Sequence, residues 1–180
     1  MLLLEIPETE FYDEVNNEFI YTDPIVLRLE HSLVSISKWE TKWRKPFLTK
    51  TPKTDAETRD YIRCMTLNQH VDQKVYRSLT ADMIKKVNDY INLELTATTF
   101  SDNKKVIPSR EVVTSEVIYY MMCAYQIPWE AQKWHLSRLL TLIRIANIKN
   151  SPDKKMSKSE IMRRNRELNE ARKRRLGTRG

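Results

Sequence analysis

Apolar residues alternate with polar ones at the start of the chain and then recur at helical spacing. In "IVLRLE", Ile25, Leu27 and Leu29 alternate with Val26, Arg28 and Glu30, the period of two that a half-buried strand requires. "LLLEI" and "EFYDEVNNEFIYT" read the same way, with Asn16-Asn17 suited to a turn and Asp23-Pro24 to a break. Residues 1–30 are therefore expected to form short strands in a small antiparallel sheet or hairpin. In "LEHSLVSISKWETKWRKPFL" the period changes. Steps of about 100° from Leu33 place Ile36, Trp39 and Trp43 within about a third of a helix, with Lys38, Thr41 and Lys42 on the other side. This helix should stop at Pro46. "TDAE" is a capping box from Thr54 to Glu57, opening a helix that runs to about Leu67, and "SLTADMIKKVNDYI" predicts another through Leu79, Met83, Val87, Tyr90 and Ile91.

The second half repeats the pattern with stronger apolar runs. A polar turn at Ser101 to Lys105 and a breaker at Pro108 allow a second hairpin. "SEVIYYMMCAYQI" is apolar nearly all round, which predicts a buried helix ending before Pro128. From Pro128, "PWEAQKWHLSRLLTLIRIANIKN" predicts a long helix with Trp129, Leu136, Leu139, Leu140, Ile143 and Ala146 on one face, widened by Leu142 and Ile145. Beyond "NSPD" the pattern loses its apolar stripe. Ser157 and Glu160 have capping-box spacing, but only Ile161, Met162, Leu168 and Leu176 could anchor a helix. The expected fold is α+β: a globular domain over residues 1–150, with its N-terminal sheet packed on a mainly α-helical part (31–150), and a basic C-terminal tail (151–180), helical or disordered.

Charge sharpens this division. The tail holds eleven Lys or Arg against four Asp or Glu, which equals the whole net charge of +7, whereas the first thirty residues set eight acids against Arg28 alone. An acidic front and a basic back suit either a nucleic-acid arm or head-to-tail contact between copies. No apolar run approaches the roughly 18 residues of a membrane helix, and "MLLLEIPETE" lacks the basic start of a secretion signal, so a soluble cytoplasmic protein with no membrane partner is expected. Cys64 and Cys123 lie in apolar company and are expected to be packed thiols.

Catalytic chemistry has little to stand on. His31, His70 and His135 make no metal-ligand spacing, and the first 176 residues contain no glycine, which excludes a phosphate-cradling glycine loop. No cofactor and no enzymatic activity are expected. The candidate binding residues are Trp39 and Trp43, preferred as core with a partner-binding stripe as the alternative, and the cations Lys154, Lys155, Lys158, Arg163, Arg164, Arg166, Arg172, Lys173, Arg174 and Arg175. No aromatic residue is interleaved with those cations, as a base-stacking surface would require.

Three blocks carry a resemblance: "LEHSLVSISKWETKWRKPFL", "SREVVTSEVIYYMMCAYQIPWEAQKWHLSRLLTLIRIANIKN" and "KKMSKSEIMRRNRELNEARKRR". Together they resemble a tail-assembly chaperone of long-tailed bacteriophages of Gram-positive hosts. The resemblance implies a small protein in the cytoplasm of the infected bacterium that coats the tape-measure protein and keeps it soluble. The coat leaves as tail-tube protein polymerises around the tape, so it is absent from the mature virion. It also implies a longer frameshifted form that recruits the tube protein, and the charge asymmetry fits a weak homo-oligomer along the template. A nucleic-acid-associated phage protein using the basic tail, or a structural adaptor retained in the particle, are the alternatives.

Overall fold

A computed structural model describes residues 1–13, 17–100, 112–150 and 158–177. Four strands open the chain: β1 (Leu2–Ile6), β2 (Thr9–Asp13), β3 (Glu18–Thr22) and β4 (Ile25–Leu29). They form two separate antiparallel ribbons, β1 with β4 and β2 with β3. The pairing runs in one continuous register, Leu2 opposite Leu29 and Ile6 opposite Ile25, then Thr9 opposite Thr22 and Asp13 opposite Glu18. That register sets Pro7 against Pro24. Neither proline has an N–H to donate, and the next positions oppose Glu8 to Asp23, two like charges, so a single long hairpin is cut into two ribbons. Asn17 closes the β2–β3 turn at φ 55°, a left-handed conformation that asparagine tolerates well; Asn16, its expected turn partner, lies outside the described residues.

Helices α1 (Leu33–Trp43), α2 (Asp55–Met65), α3 (Lys74–Arg77), α4 (Ala81–Ile91), α5 (Ser115–Ala124), α6 (Leu136–Asn150) and α7 (Lys158–Leu176) follow. Local signals explain their starts. Ser32 and Ser35 form a reciprocal capping box on α1, Thr54 and Glu57 form the expected one on α2, and Thr80 and Thr114 cap α4 and α5. Helix α1 ends at Arg44, in a left-handed conformation at φ 52° that lets its N–H reach the Glu40 carbonyl. The end of short α3 is held from elsewhere: the Arg59 guanidinium donates to the carbonyls of Tyr76, Arg77 and Leu79.

The chain divides into two units, Met1–Ala146 and Asn147–Gly180. In the first, Leu4, Ile6, Leu27 and Leu29 face inward, and the core includes Leu33, Ile36 and Trp39 of α1 together with apolar residues of α2 and α4 to α6. The free edge of β4 is closed. Leu67 N–H donates to the Arg28 carbonyl, and the Asn68 side chain bonds both Arg28 N–H and the Val26 carbonyl. In the second unit, every described side chain of α7 is exposed.

Several expectations are corrected. Helix α5 is buried on one face only, through Ile118 and Met122; Tyr120 is 73% exposed, and Cys123 is an exposed thiol where a packed one was expected. Cys64 is buried, and burial pushes its pKa up. The helix expected from Pro128 is interrupted. Trp129–Lys133 form a 3-10 turn with Trp129 half exposed, and α6 begins only at Leu136, because His135 pairs with Ser32 in an isolated bridge. The apolar pattern continues through this break, which is why the sequence hides it. The second hairpin does not appear in residues 93–100 or 112–114; Ser101 to Lys105, Pro108 and Ser157 lie outside the described residues.

That bridge belongs to a buried polar node. The His31 carbonyl accepts from Leu136 N–H at 2.7 Å, its Nδ1 lies 2.5 Å from the Tyr61 hydroxyl, and its ring lies 5.2 Å from that of His135. His135 contacts Ser137 Oγ at 2.8 Å and the Tyr90 carbonyl at 3.2 Å, and the Tyr90 hydroxyl donates to Glu30. Burial and the neighbouring His135 push the His31 pKa from 6.5 down to about 3, and burial also lowers that of His135.

Two predictions follow from this architecture. Between pH 6.5 and about 3 the unfolded chain binds a proton that folded His31 refuses, so stability is full above that window and falls as the pH drops through it. Urea unfolding across this range should show a slope of about 1.4 kcal/mol per pH unit from His31, which His31→Gln removes. Truncation after Asn150 should shift the melting temperature by no more than a few degrees, roughly 1 kcal/mol, because every described side chain of α7 is exposed.

Candidate protein-binding surfaces

Both tryptophans of α1 donate hydrogen bonds within the fold. Trp39 is 1% exposed, its Nε1–H donates to the Glu57 carbonyl at 2.9 Å, and its ring meets Phe47 edge-on at 5.2 Å. Trp43 is half-buried and donates from Nε1 to Asp60 Oδ2 at 2.9 Å, while Asp60 Oδ1 accepts from Lys42 at 2.7 Å and Arg63 at 2.9 Å. Burial alone would push the Asp60 carboxyl up, but these three donors hold it below the usual carboxylate range. The expected separation of lysines from indoles does not hold. The flexible stem of Lys42 carries its ammonium to Asp60, which leaves it 5.6 Å from the Trp43 ring, and Lys53 lies 5.8 Å from the Trp39 ring.

Two further carboxylates tie this corner together. Glu57 receives Lys45 at 2.6 Å while capping α2, and Glu40 accepts the N–H of Phe47 and, with its other oxygen, the N–H and hydroxyl of Ser115. Glu40 thus places a negative charge at the N-terminus of α5, where the helix dipole favours it. Sequence spacing carries no sign of this contact, because the two residues are joined only by the fold.

An open apolar groove lies beside α6. Leu139 and Ile143 face inward, and Leu142, half-buried against the core, joins Ile145 and the preceding Trp134 in lining a cavity of about 550 Å³ with Leu95, Thr96 and Ala97 of the extended segment that follows α4. That segment is held by Leu95 N–H, which donates to Ser137 Oγ at 3.2 Å. Arg138 lies 5.1 Å from the Trp134 ring, so a cation borders the apolar floor. Of the stripe expected from periodicity, Leu136, Leu139 and Ile143 are in the core and Leu140 and Leu142 pack against it, while Leu142 and Ile145 also border this cavity.

Of the basic candidates, Lys158, Arg163, Arg164, Arg166, Arg172, Lys173, Arg174 and Arg175 lie on α7, whereas Lys154 and Lys155 fall outside the described residues. Arg163, Arg166, Arg172, Lys173 and Arg174 are exposed, and Arg163 pairs with Glu167 at 3.6 Å. Among the described residues no group of three or more His, Cys, Asp or Glu could hold a metal ion, and no helix is long and apolar enough to cross a membrane. No protein-family model, curated protein or solved structure matches the chain.

Because Trp39 is enclosed and hydrogen-bonded, Trp39→Ala should destabilise the protein by about 3–5 kcal/mol in urea unfolding. Half-buried Trp43→Ala should cost less, roughly 1–3 kcal/mol, from lost apolar contact and an unpaired Asp60 oxygen.

Proposed function

We propose that this chain is a non-enzymatic tail-assembly chaperone of a long-tailed bacteriophage, acting in the cytoplasm of the infected bacterium. It binds the tape-measure protein, keeps it soluble until tail-tube protein polymerises around it, and is absent from the mature virion. The observation that carries this reading is the open groove along α6, bordered by Leu95, Ala97, Trp134, Leu142 and Ile145. Helix α6 has 15 residues and is about 22 Å long, enough to lie beside several turns of another amphipathic helix. A long helical tape offers many such stretches, so a small protein with one groove can coat it in repeated copies. The three sequence blocks that resemble such chaperones include all of α6.

The exposed cations of α7 favour a second reading, a nucleic-acid-associated phage protein holding phosphates through that helix. It predicts salt-sensitive retardation of nucleic acid by the full chain and none by residues 1–150.

Co-expression with the tape-measure protein separates the readings. The chaperone should hold the tape in the soluble fraction and co-purify with it, and purified virions should lack the chain. Leu95→Glu combined with Trp134→Ala should weaken capture about tenfold or more without unfolding the protein, since both side chains are substantially exposed. Tape solubility that does not depend on the chain would refute the proposal.

A further inference from the structure

The outer face of the β2–β3 ribbon carries exposed aromatic and acidic side chains. Its inner face is closed, with Ile20 at 0% and Thr22 at 4% exposure, and β3 packs on α3. On the outer face the register sets Glu10 opposite Tyr21 and Tyr12 opposite Phe19, and a hydrogen bond from the Tyr21 hydroxyl to Glu8 extends that face by one more carboxylate. Phe19 is 72% exposed, Tyr21 58% and Tyr12 45%, and the Tyr12 and Phe19 rings lie 5.0 Å apart. Three rings and two carboxylates therefore stand together in solvent. This combination matches arginine: a guanidinium stacks on Tyr or Phe while its N–H groups donate to a carboxylate.

Helix α7 supplies the complement. At about 100° per residue, Arg163, Arg166, Lys173 and Arg174 fall within about a third of its circumference, and the acids on that side, Glu167 and Glu170, leave it net positive. From Arg163 to Arg174 the helix rises about 16 Å. Each five-residue strand of the ribbon is about 17 Å long, so the two surfaces agree in length as well as charge.

We propose that α7 of one copy docks on the outer face of the β2–β3 ribbon of a second copy, with its arginines on Tyr12, Phe19 and Tyr21 and their N–H groups on Glu8 and Glu10. Donor and acceptor are different surfaces of the same chain, so the contact is heterologous and copies add head to tail. The proposal stands whether or not the chaperone reading holds.

The test is light scattering of the nuclease-treated full chain over a range of concentration and salt. At low salt the mass should rise with concentration well above the 21.5 kDa of one chain, and about 1 M salt should reverse the rise. Glu8→Arg with Glu10→Arg should weaken association at least about tenfold, and so should Arg163→Glu with Arg166→Glu and Arg174→Glu. Mixing the two charge-reversed proteins should restore growth, because each then presents a complementary surface to the other. Phe19→Ser with Tyr21→Ser should remain folded by circular dichroism and stay a single chain. A wild-type mass that never exceeds one chain, continued association of either charge-reversed protein alone, or failure of the mixture to recover would each overturn the proposal.

Discussion

The structure of the first unit depends on one buried junction, where the corner between β4 and α1 meets the start of α6. His31 accepts from the Leu136 N–H at its carbonyl and faces Tyr61 of α2 with its ring. Its neighbour Ser32 caps α1 and bridges to His135, which in turn reaches Ser137 and the last turn of α4 at Tyr90. The ribbon and four helices thus share a few hydrogen bonds in a site from which water is largely excluded. Unpaired polar groups there would be costly, so the elements meet in one arrangement. The same desolvation lowers the pKa of both imidazoles and makes the junction sensitive to acid.

Around that junction, three carboxylates of α1 and α2 set the remaining geometry. Glu40 fixes the start of α5, Glu57 caps α2 while holding Lys45, and Asp60 gathers Lys42, Trp43 and Arg63. Each is paired more than once, which is what permits a carboxylate in so enclosed a place. These contacts absorb the indoles and most nearby cations. The surfaces proposed for partners lie elsewhere, in the groove beside α6, the aromatic face of the β2–β3 ribbon and the cations of α7.

What the sequence discloses follows the range of the interaction. The α+β class, the alternation of β4, the Thr54–Glu57 box and the stripe of α1 are local, and each is present in the structure. The split of the hairpin was half visible: Pro24 marks a break, but only the register shows that Pro7 faces it. The junction was invisible, because His31 and His135 lie far apart in sequence and neither has the spacing of a ligand pair. The groove was missed for a related reason. An apolar period places Leu142 against the core, as it is, but cannot show that residues 95–97 lie alongside α6 and make a cavity with Leu142 and Ile145. The basic tail was plain from composition, yet its charge alone does not choose between phosphate and protein.

The buried junction fixes the arrangement of the first unit, and the proposed tape-measure contact lies on its outer surface. Hydrogen exchange on the full chain, free and in complex with the tape-measure protein, tests this most directly. The account predicts slower exchange in the complex at residues 93–97 and in α6 between Arg138 and Ile145, with the amides of Glu30 and Leu136 equally protected in both states. Protection confined to α7, or altered exchange at Glu30 and Leu136, would contradict it.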